Sequence, residues 1–338
     1  MELYPIVIVG GSIAGLSCSL YTSYRTLIIE KKREIGKPVV CGEYVPLLFT
    51  HYADIPSPLI ARKIEGMVTY LDDERIERRW PGAILNRDEW EKSLYIRARK
   101  RGVEFLLNTR VLELKGDILT LETGMEIRAK VIIGADGPLS IVGKAMKSQN
   151  KRFIYGYQYK VPLRRELNLT EVYINREFKG GYGWLFPKGE TANVGIGVKG
   201  VKEPWKILDN FLDRLYEKVE KRILDRVAGP IPVGGILKDL VSENALLTGD
   251  AGGFTNPITG AGIYQAFWTG RLAAECANNY LKGNKKALER YEEEAKRFWE
   301  SQIERDKKKR EILEKGWGED FKTLIHRTWI AFDEYYYP

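Results

Sequence analysis

The first 30 residues constrain the fold more than any other part of the chain, because they predict a complete strand–helix–strand unit. The apolar run 6–9 predicts a buried strand, which leads into a glycine-rich turn at 10–15. A helix of small residues follows as far as Tyr21, and residues 26–29 predict a second strand that ends at Glu30. This order is typical of doubly wound α/β folds that bind the phosphates of a dinucleotide at a helix N-terminus.

The glycine-rich turn matches the dinucleotide-binding pattern G-x-G-x-x-G except at the middle glycine, where Ser12 stands. Gly10 permits a tight turn, Gly15 permits close packing of helix on strand, and Ser12 is small enough for the backbone to approach a pyrophosphate. Glu30 follows Gly10 by 20 residues and is placed to accept hydrogen bonds from both ribose hydroxyls. The alternative is an ordinary glycine turn with a solvent-facing glutamate. We assign to the cofactor's ADP half Gly10, Ser12, Ala14, Gly15 and Glu30, and we count Gly11 and Lys31 among the cofactor-binding residues.

Composition describes an ordinary soluble globular chain of one or two domains, with 338 residues of which 44% are hydrophobic and 30% charged. No apolar run approaches the roughly 18 residues of a membrane-spanning helix. The N-terminus lacks the cationic and small-residue features of a secretory signal. We therefore expect a cytoplasmic protein and leave open a peripheral contact with a membrane surface.

Metal sites and nucleic-acid binding are both disfavoured by the residues present. The chain has 2 histidines and 3 cysteines, and the cysteines Cys18, Cys41 and Cys276 lie far apart. This argues against a disulfide framework, a zinc site and a Ser-His-Asp triad, so we predict no metal. The net charge of +8 suits an anionic membrane, an acidic protein or nucleic acid. Because no nucleic-acid-binding module is apparent, we predict no nucleic-acid partner.

A second turn lies in the last third of the chain, where a short strand ends and Asp250 precedes a proline–glycine loop. The loop leads into a helix that starts near Gly262. Together with the N-terminal unit, this segment resembles the FAD-dependent oxidoreductases of the p-hydroxybenzoate-hydroxylase-like fold. The resemblance implies that the aspartate hydrogen-bonds the ribityl chain of FAD, and that the helix N-terminus stabilises the negative charge of reduced flavin. The residues implied are Gly249, Asp250, Gly260, Gly262 and Ile263.

Further cofactor contacts follow from the same resemblance. Asp136 and Gly137 come directly after the predicted strand 131–133 and resemble the family's Asp-Gly fingerprint, although a plain turn would also explain them. Arg97 matches the arginine that reaches the FAD phosphates in this family, and a solvated helix arginine is an equal alternative. The predicted cofactor site is completed by Cys41, Gly42 and Val111.

Two more segments resemble geranylgeranyl reductases. The first is the Cys41-Gly42-Glu43 loop, which in that family lies near the isoalloxazine. The second reads Y-x-W-x-F-P from Tyr182 to Pro187 with a G-x-G behind it, and in that family the corresponding segment lines the cavity for an isoprenoid. Flat aromatic rings suit a branched hydrocarbon. The implied substrate contacts are Tyr182, Trp184, Phe186 and Pro187, and Cys41 and Tyr182 are the candidate proton donors, neither selected by the sequence.

The predicted architecture is α/β, with a Rossmann-like FAD-binding domain and an inserted antiparallel β-sheet that covers the isoalloxazine and forms the substrate pocket. The FAD-binding domain is assigned to 1–60, 87–150 and 236–284, and the substrate domain to 61–86 and 151–235. A C-terminal helical tail occupies 285–338. Residues 205–227 are also predicted to be helical.

The resemblance implies an FAD-dependent oxidoreductase that reduces C=C bonds of an isoprenoid lipid by hydride transfer from reduced flavin. A flavin-dependent monooxygenase or halogenase acting on an aromatic compound, and a non-catalytic flavin-bound scaffold, remain alternatives. No second strand–glycine–helix unit is apparent to hold NAD(P)H separately. The electron donor is therefore either transiently docked NAD(P)H or a ferredoxin-like acidic protein.

Overall fold

The computed structural model of the chain describes residues 1–318 and 320–337. These residues form two compact units, each assembled from three separate segments. The first unit comprises 1–37, 88–152 and 232–305, and the second comprises 38–87, 153–231 and the segment from 306 onward.

The strands within the described residues are, in chain order, β1 Glu2–Val9, β2 Thr26–Ile29, β3 Tyr44–Pro46, β4 Ile60–Ile64, β5 Gly66–Leu71, β6 Glu74–Arg78, β7 Gly82–Leu85, β8 Glu104–Leu106, β9 Val111–Lys115, β10 Ile118–Leu121, β11 Glu126–Gly134, β12 Phe153–Pro162, β13 Leu169–Ile174, β14 Gly183–Lys188, β15 Thr191–Val198, β16 Asp225–Pro232, β17 Val241–Ser242 and β18 Ala245–Leu247. The α-helices are α1 Ile13–Tyr21, α2 Leu47–Tyr52, α3 Arg87–Lys100, α4 Ile141–Ala145, α5 Pro204–Arg214, α6 Ile263–Leu281, α7 Ala287–Gly316 and α8 Phe321–Thr328. Short 3₁₀ turns occupy Ser57–Leu59, Gly249–Gly252 and Asp333–Tyr336.

The first unit is built on one sheet with the order β17-β18-β11-β1-β2-β8, to which the β9–β10 hairpin is added at β11. Strand β1 runs parallel to both β2 and β11, and β18 is parallel to β11. The register places Val9 beside Ile29 and Gly134, and Gly134 beside Leu247. These strands therefore end level with one another, and the turns that follow them leave from a single edge of the sheet.

The core of the first unit explains why its central strands read as continuous apolar runs. Strand β1 is covered on both faces, since the helices of a parallel sheet pack on either side. All of α1 except its last residue is buried, which its small side chains permit. One buried cluster joins strands of this sheet through Val7, Val9, Ile29, Ile132 and Leu247.

The second unit contains a seven-stranded sheet with the order β16-β12-β15-β14-β13-β5-β6 and a separate three-stranded sheet, β3-β7-β4. One face of the large sheet packs against α5 through a cluster that includes Leu185, Val194, Ile196 and Phe211. Within this sheet the pairs β12–β15, β15–β14, β14–β13 and β5–β6 are antiparallel, and β13 pairs with β5 in parallel. The predicted antiparallel sheet is confirmed at the four antiparallel pairs and differs at β13–β5, because the β5–β6 hairpin arrives from a distant segment and local turn signals do not fix its direction.

The α/β class and the parallel sheet of the first unit are confirmed. The predicted helix 205–227 is wrong in its second half: α5 ends at Arg214, and residues from Asp225 form β16 at the sheet edge. An edge position accommodates the prolines of this segment, which lack an N–H for a second neighbour.

The compact units also depart from the predicted domain boundaries. Residues 38–60 belong to the second unit, because β3 pairs with β7 there. The expected separate tail 285–338 is divided at 305/306 between the two units, and it extends over Glu319 and Pro338, which lie outside the described residues.

No helix within residues 1–318 and 320–337 combines the length and the apolar character needed to cross a membrane.

Candidate active site

The glycines of the N-terminal turn are required by their surroundings. Gly10 has a φ of 104°, and its N–H donates to the Ile29 carbonyl oxygen at 2.8 Å. A Cβ atom on Gly10 would lie 2.3 Å from the Ala135 carbonyl oxygen, and one on Gly15 would lie 1.9 Å from the Gly10 carbonyl oxygen. Neither position tolerates a side chain, so the turn holds the N-terminus of α1 close to the ends of β1 and β11.

Glu30 closes this turn from the end of β2. Its side chain is 5% exposed, and its carboxylate accepts hydrogen bonds from the N–H of Gly11 at 2.6 Å and of Lys32 at 2.8 Å. Ser12, the N-cap residue of α1, donates its hydroxyl to Glu91 at 2.8 Å and makes no side-chain cap bond to the helix. The first N–H groups of α1 are thus available for an anion, and Glu30 keeps lone pairs for ribose hydroxyls.

The second turn brings Asp250 to the N-terminus of α6. The Asp250 carboxylate accepts the Thr255 hydroxyl at 2.8 Å, and a Cβ atom on Gly262 would lie 3.1 Å from the same carboxylate oxygen. Gly262 is the N-cap residue and supplies no side chain, and Gly260 has a φ of 70°. The backbone N–H groups of Gly262 and Ile263 therefore sit beside a carboxylate at the positive end of a 19-residue helix.

The two turns meet within the first unit. A Cβ atom on Gly249 would lie 3.1 Å from the Ala14 Cβ, so the turn before Asp250 contacts the start of α1. Farther along, a Cβ atom on Gly270 of α6 would lie 2.3 Å from the Ala14 carbonyl oxygen. Helices α1 and α6 thus pack backbone to backbone, and this brings the two glycine-bearing turns to one place.

Asp136 has a local structural role that the sequence left open. Its carboxylate accepts the Ser140 hydroxyl at 2.5 Å and the Ile141 N–H at 2.7 Å, at the start of α4. Burial raises the pKa of Asp136, and these hydrogen bonds oppose that rise. Gly137 beside it has a φ of 82°. The pair therefore forms a helix-capping turn after β11, on the sheet edge from which Gly10 also leaves.

The side chains of three predicted cofactor residues do not lie at the two turns. Arg97 lines a shallow surface cavity with Leu20 and Tyr21, at the C-terminal end of α1 and about 13 Å of helix away from its N-terminus. The Val111 side chain is buried in the core cluster of the first unit. Lys31 is exposed next to Glu30. Of the residues on α3, Glu91 contacts the turn through Ser12.

In the second unit, the indole of Trp184 lies flat across the sheet. Gly195 is its register partner on β15, and a Cβ atom there would lie 2.2 Å from the Trp184 Cζ2. The indole N–H donates to the Gln158 side-chain oxygen at 3.0 Å on the next strand, β12. The glycines behind the aromatic motif therefore form a floor for this ring, which explains why the two sequence features occur together.

The segment 41–43, here called the Cys41 loop, contacts the same face of the sheet. The Gln158 side-chain N–H donates to the Cys41 carbonyl oxygen at 3.1 Å. A Cβ atom on Gly42 would lie 2.9 Å from the Phe186 ring, so the ring packs directly on this glycine. The Cys41 sulfur accepts the Glu43 N–H at 3.2 Å.

Glu43 anchors the loop through a buried ion pair. Its carboxylate is 2.7 Å from the Lys188 Nζ, and the Asn193 side-chain N–H donates to it at 2.8 Å. Glu43 is 3% exposed and Lys188 8% exposed. The sequence analysis missed Gln158, Lys188 and Asn193 as site residues. Lys188 directly follows the Y-x-W-x-F-P motif, but nothing in the sequence links it to Glu43.

Tyr182 lies beside the Cys41 loop, and burial, followed by the charge of Cys41, raises the pKa of its hydroxyl. The Tyr182 ring contacts the Trp329 ring with centroids 4.8 Å apart. Pro187 pairs with Ala192, whose side chain belongs to the cluster under α5, so this proline faces the other side of the sheet. The structure thus brings Tyr182, Trp184 and Phe186 together, without Pro187.

Within the ranges 1–318 and 320–337, no group of three or more His, Cys, Asp and Glu side chains is arranged to hold a metal ion.

Comparison with known proteins links this arrangement to one enzyme family. A family model described as the geranylgeranyl reductase catalytic domain matches residues 153–231, the segment of the second unit that carries β12 to β15 and most of β16. The digeranylgeranylglycerophospholipid reductase of Methanocaldococcus jannaschii is 32% identical over an alignment that covers 98% of this chain and 92% of that protein.

Solved structures agree with these matches. A geranylgeranyl bacteriochlorophyll reductase-like protein from Thermoplasma acidophilum superimposes with a TM-score of 0.87 and 27% identity, covering 98% of this chain and 92% of that one. A probable FAD-dependent monooxygenase from Pseudomonas aeruginosa superimposes with a TM-score of 0.71 and 16% identity over 96% and 98% of the two chains. At that identity the likeness concerns the fold alone, and it confirms the predicted p-hydroxybenzoate-hydroxylase-like architecture.

Proposed function

Because the chain belongs to the geranylgeranyl reductase family, we propose that it is an FAD-dependent oxidoreductase that saturates C=C bonds of an isoprenoid lipid. The observation that carries the proposal is the aromatic face of the second unit with the Cys41 loop packed on it. The relative from M. jannaschii is named for a digeranylgeranylglycerophospholipid, so we take a lipid of that class as the first substrate to test.

FAD fits the residues of the first unit. Glu30 would accept the ribose hydroxyls, the N-terminus of α1 would face the pyrophosphate, and Asp250 would accept a ribityl hydroxyl. The uncapped N-terminus of α6, with glycine at its N-cap, allows close approach of an anionic ring system. When bound and reduced, FAD supplies the hydride for C=C reduction.

The second unit supplies apolar contact and a proton. Trp184 and Phe186 share one face of β14, and Tyr182 precedes that strand with its ring against Trp184. Flat rings arranged in this way can pack on a polyprenyl chain without leaving polar groups unpaired. We propose the Cys41 thiol as proton donor, because its sulfur is held by a backbone N–H that stabilises the thiolate left behind. The Tyr182 hydroxyl is the alternative donor, but burial raises its pKa and so makes it a weaker acid than an exposed tyrosine.

The electron donor is either NAD(P)H or a small acidic protein such as a ferredoxin. The net charge of +8 supports docking of an acidic protein. Rates of flavin reduction by NADPH, by NADH and by reduced ferredoxin, measured under identical anaerobic conditions, distinguish these donors.

The test of the proposed function is anaerobic single turnover. Purified holoenzyme is reduced with dithionite and mixed with a digeranylgeranylglycerophospholipid in detergent micelles. We expect the absorbance of oxidised flavin near 450 nm to return as the lipid is reduced. By mass spectrometry the lipid should gain about 2 mass units for each double bond that is saturated. A Cys41→Ser variant should slow this step by about 10²-fold or more, and Tyr182→Phe by less. Failure of the wild-type protein to saturate any polyprenyl lipid contradicts the proposal.

One alternative keeps support from the fold, since a probable FAD-dependent monooxygenase shares it. That activity requires oxygen consumption coupled to NAD(P)H oxidation and stimulated by an aromatic compound. We expect no such stimulation, because the Cys41 loop and the aromatic face match the reductase motifs. Hydroxylated or halogenated product from an aromatic substrate would favour the alternative.

A further inference from the structure

The Cys41 loop is attached to the seven-stranded sheet at three points. The Gln158 side chain of β12 holds the Cys41 carbonyl, and the Phe186 ring of β14 packs on Gly42. The third point is the carboxylate of Glu43, which contacts side chains from β14 and β15. A loop held by side chains from three strands has little freedom, so the position of its sulfur is determined by the sheet.

Glu43 adopts a backbone conformation that needs outside support. Its φ is 67°, in the left-handed region that glycine enters at much lower cost than other residues. The support comes from its own carboxylate. The Lys188 ammonium group donates to both carboxylate oxygens, at 2.7 and 2.8 Å, and the side-chain N–H of Asn193 donates to one of them. The Arg87 N–H donates to the same carboxylate at 3.1 Å. Because the pair is buried, solvent and salt screen it weakly.

We infer that Glu43 and Lys188 are positioning residues for the Cys41 thiol, an inference that rests on the proposed function of this thiol as proton donor. Glu43, whose carboxylate is held by Lys188, also donates its backbone N–H to the Cys41 sulfur. During reduction the S–H bond breaks and the proton joins the substrate carbon next to the one that receives the hydride. The electron pair stays on sulfur, which the Glu43 N–H stabilises until a proton returns from solvent.

The Glu43–Lys188 ion pair is here called the clamp. It is tested with Glu43→Gln and Lys188→Met in the full-length holoenzyme. The matched control is Lys218→Met, because Lys218 forms a comparable pair with Glu171 at 2.7 Å in the same unit but on the face that packs under α5. We measure kcat and KM for a digeranylgeranylglycerophospholipid in detergent micelles, with dithionite as reductant. Hydrogen exchange of the peptide 41–45 is followed in parallel.

Both clamp variants should lower kcat by about tenfold or more while KM changes less than about threefold, since a small misplacement of a reacting group affects the chemical step more than binding. Exchange of the 41–45 peptide should become at least about tenfold faster. The control should leave kcat and this peptide unchanged. Wild-type kcat and wild-type exchange in the clamp variants would overturn the inference.

A double variant, Glu43→Gln with Lys188→Met, separates positioning from the cost of an unpaired buried charge. Removing both charges should restore the free energy of unfolding toward the wild-type value but leave kcat low. Recovery of both together would overturn the inference. If the wild-type protein reduces no lipid and hydrogen exchange of the peptide 41–45 becomes faster only in the clamp variants, the proposed function is wrong. The role of the clamp in holding the loop is then still supported. If wild type and Lys188→Met are equally active, the function stands and the inference fails.

Discussion

Single residues in the first unit combine two tasks, and Glu30 is the clearest case. Its carboxylate already accepts the N–H groups of Gly11 and Lys32, so it holds the turn as well as facing the expected ribose. Asp250 is similar, since it accepts the Thr255 hydroxyl beside the N-terminus of α6. Substitution at either position is therefore expected to affect both the turn and the cofactor.

We predict that Glu30→Ala and Asp250→Ala each weaken FAD binding by about 1–3 kcal/mol, or about 5- to 150-fold in Kd, for the loss of charge-assisted hydrogen bonds. Fluorescence titration of apoprotein with FAD measures the change. Asp117→Ala is the control, because Asp117 is in the same unit but pairs with the exposed Arg128. Unchanged Kd in both site variants would show that these residues do not hold the cofactor.

At the scale of one strand, β15 shows how glycines support an aromatic ring. Gly195 and Gly197 are two residues apart and lie on the same face, yet their surroundings differ. A Cβ atom would meet the Trp184 ring at 2.2 Å on Gly195, but the nearest atom to one on Gly197 is at 3.5 Å.

We expect Gly195→Ala to destabilise the protein by roughly 1–3 kcal/mol and to displace Trp184 from Gln158, because the added methyl group overlaps the indole. Gly197→Ala in the same strand should cost much less, since its methyl group would make ordinary contacts. Urea unfolding monitored by tryptophan fluorescence compares the two variants. Equal losses of stability would mean that the ring does not depend on the glycine floor.

An ion pair connects the C-terminal end of α7 to the end of β15. The Glu314 carboxylate accepts Lys199 and Arg310, each at 2.9 Å. Burial alone would raise the pKa of Glu314, but these two cations outweigh it and lower the pKa to about 2. A carboxyl group with a lowered pKa in the folded state stabilises the protein at pH values above its ordinary pKa near 4.5. That contribution is lost as the pH falls from there toward 2.

Glu314→Gln should therefore lower the free energy of unfolding by about 2–3 kcal/mol at pH 7, through loss of two charge-assisted hydrogen bonds. The difference between variant and wild type should shrink steadily below pH 4.5. Urea unfolding at several pH values follows this trend. Glu203→Gln removes an exposed pair with Lys206 and serves as the control. A difference that stays constant down to pH 3 would rule out the paired carboxylate as its source.

The net charge of the whole molecule affects the surface at which the protein would bind an apolar substrate. The chain carries a net charge of +8, and isoprenoid lipids reside in membranes that present anionic headgroups. We expect the protein to sediment with phosphatidylglycerol-containing vesicles at low ionic strength and to be released as salt is raised past about 0.15 M. Neutral phosphatidylcholine vesicles are the control. Equal sedimentation with both lipids at every salt concentration would contradict an electrostatic contact.

The local units of this protein could be predicted without knowledge of its three-dimensional structure. The β1–turn–α1–β2 unit follows from apolar runs and from the spacing of Gly10, Gly15 and Glu30, and these signals all lie within about 30 residues of chain. The Cys41 loop and the Y-x-W-x-F-P segment were likewise readable as motifs. Their residue types carry chemistry that does not depend on where the rest of the chain goes.

Contacts between residues that are far apart in the chain could not be predicted in this way. Glu43 and Lys188 are 145 residues apart, and a buried ion pair between them depends on how the loop packs on the sheet. The same holds for Arg97, whose helix could be predicted from the sequence but whose place beside Leu20 and Tyr21 at one surface cavity could not. Pairings of this kind depend on the packing of whole elements, and local sequence patterns carry no information about it.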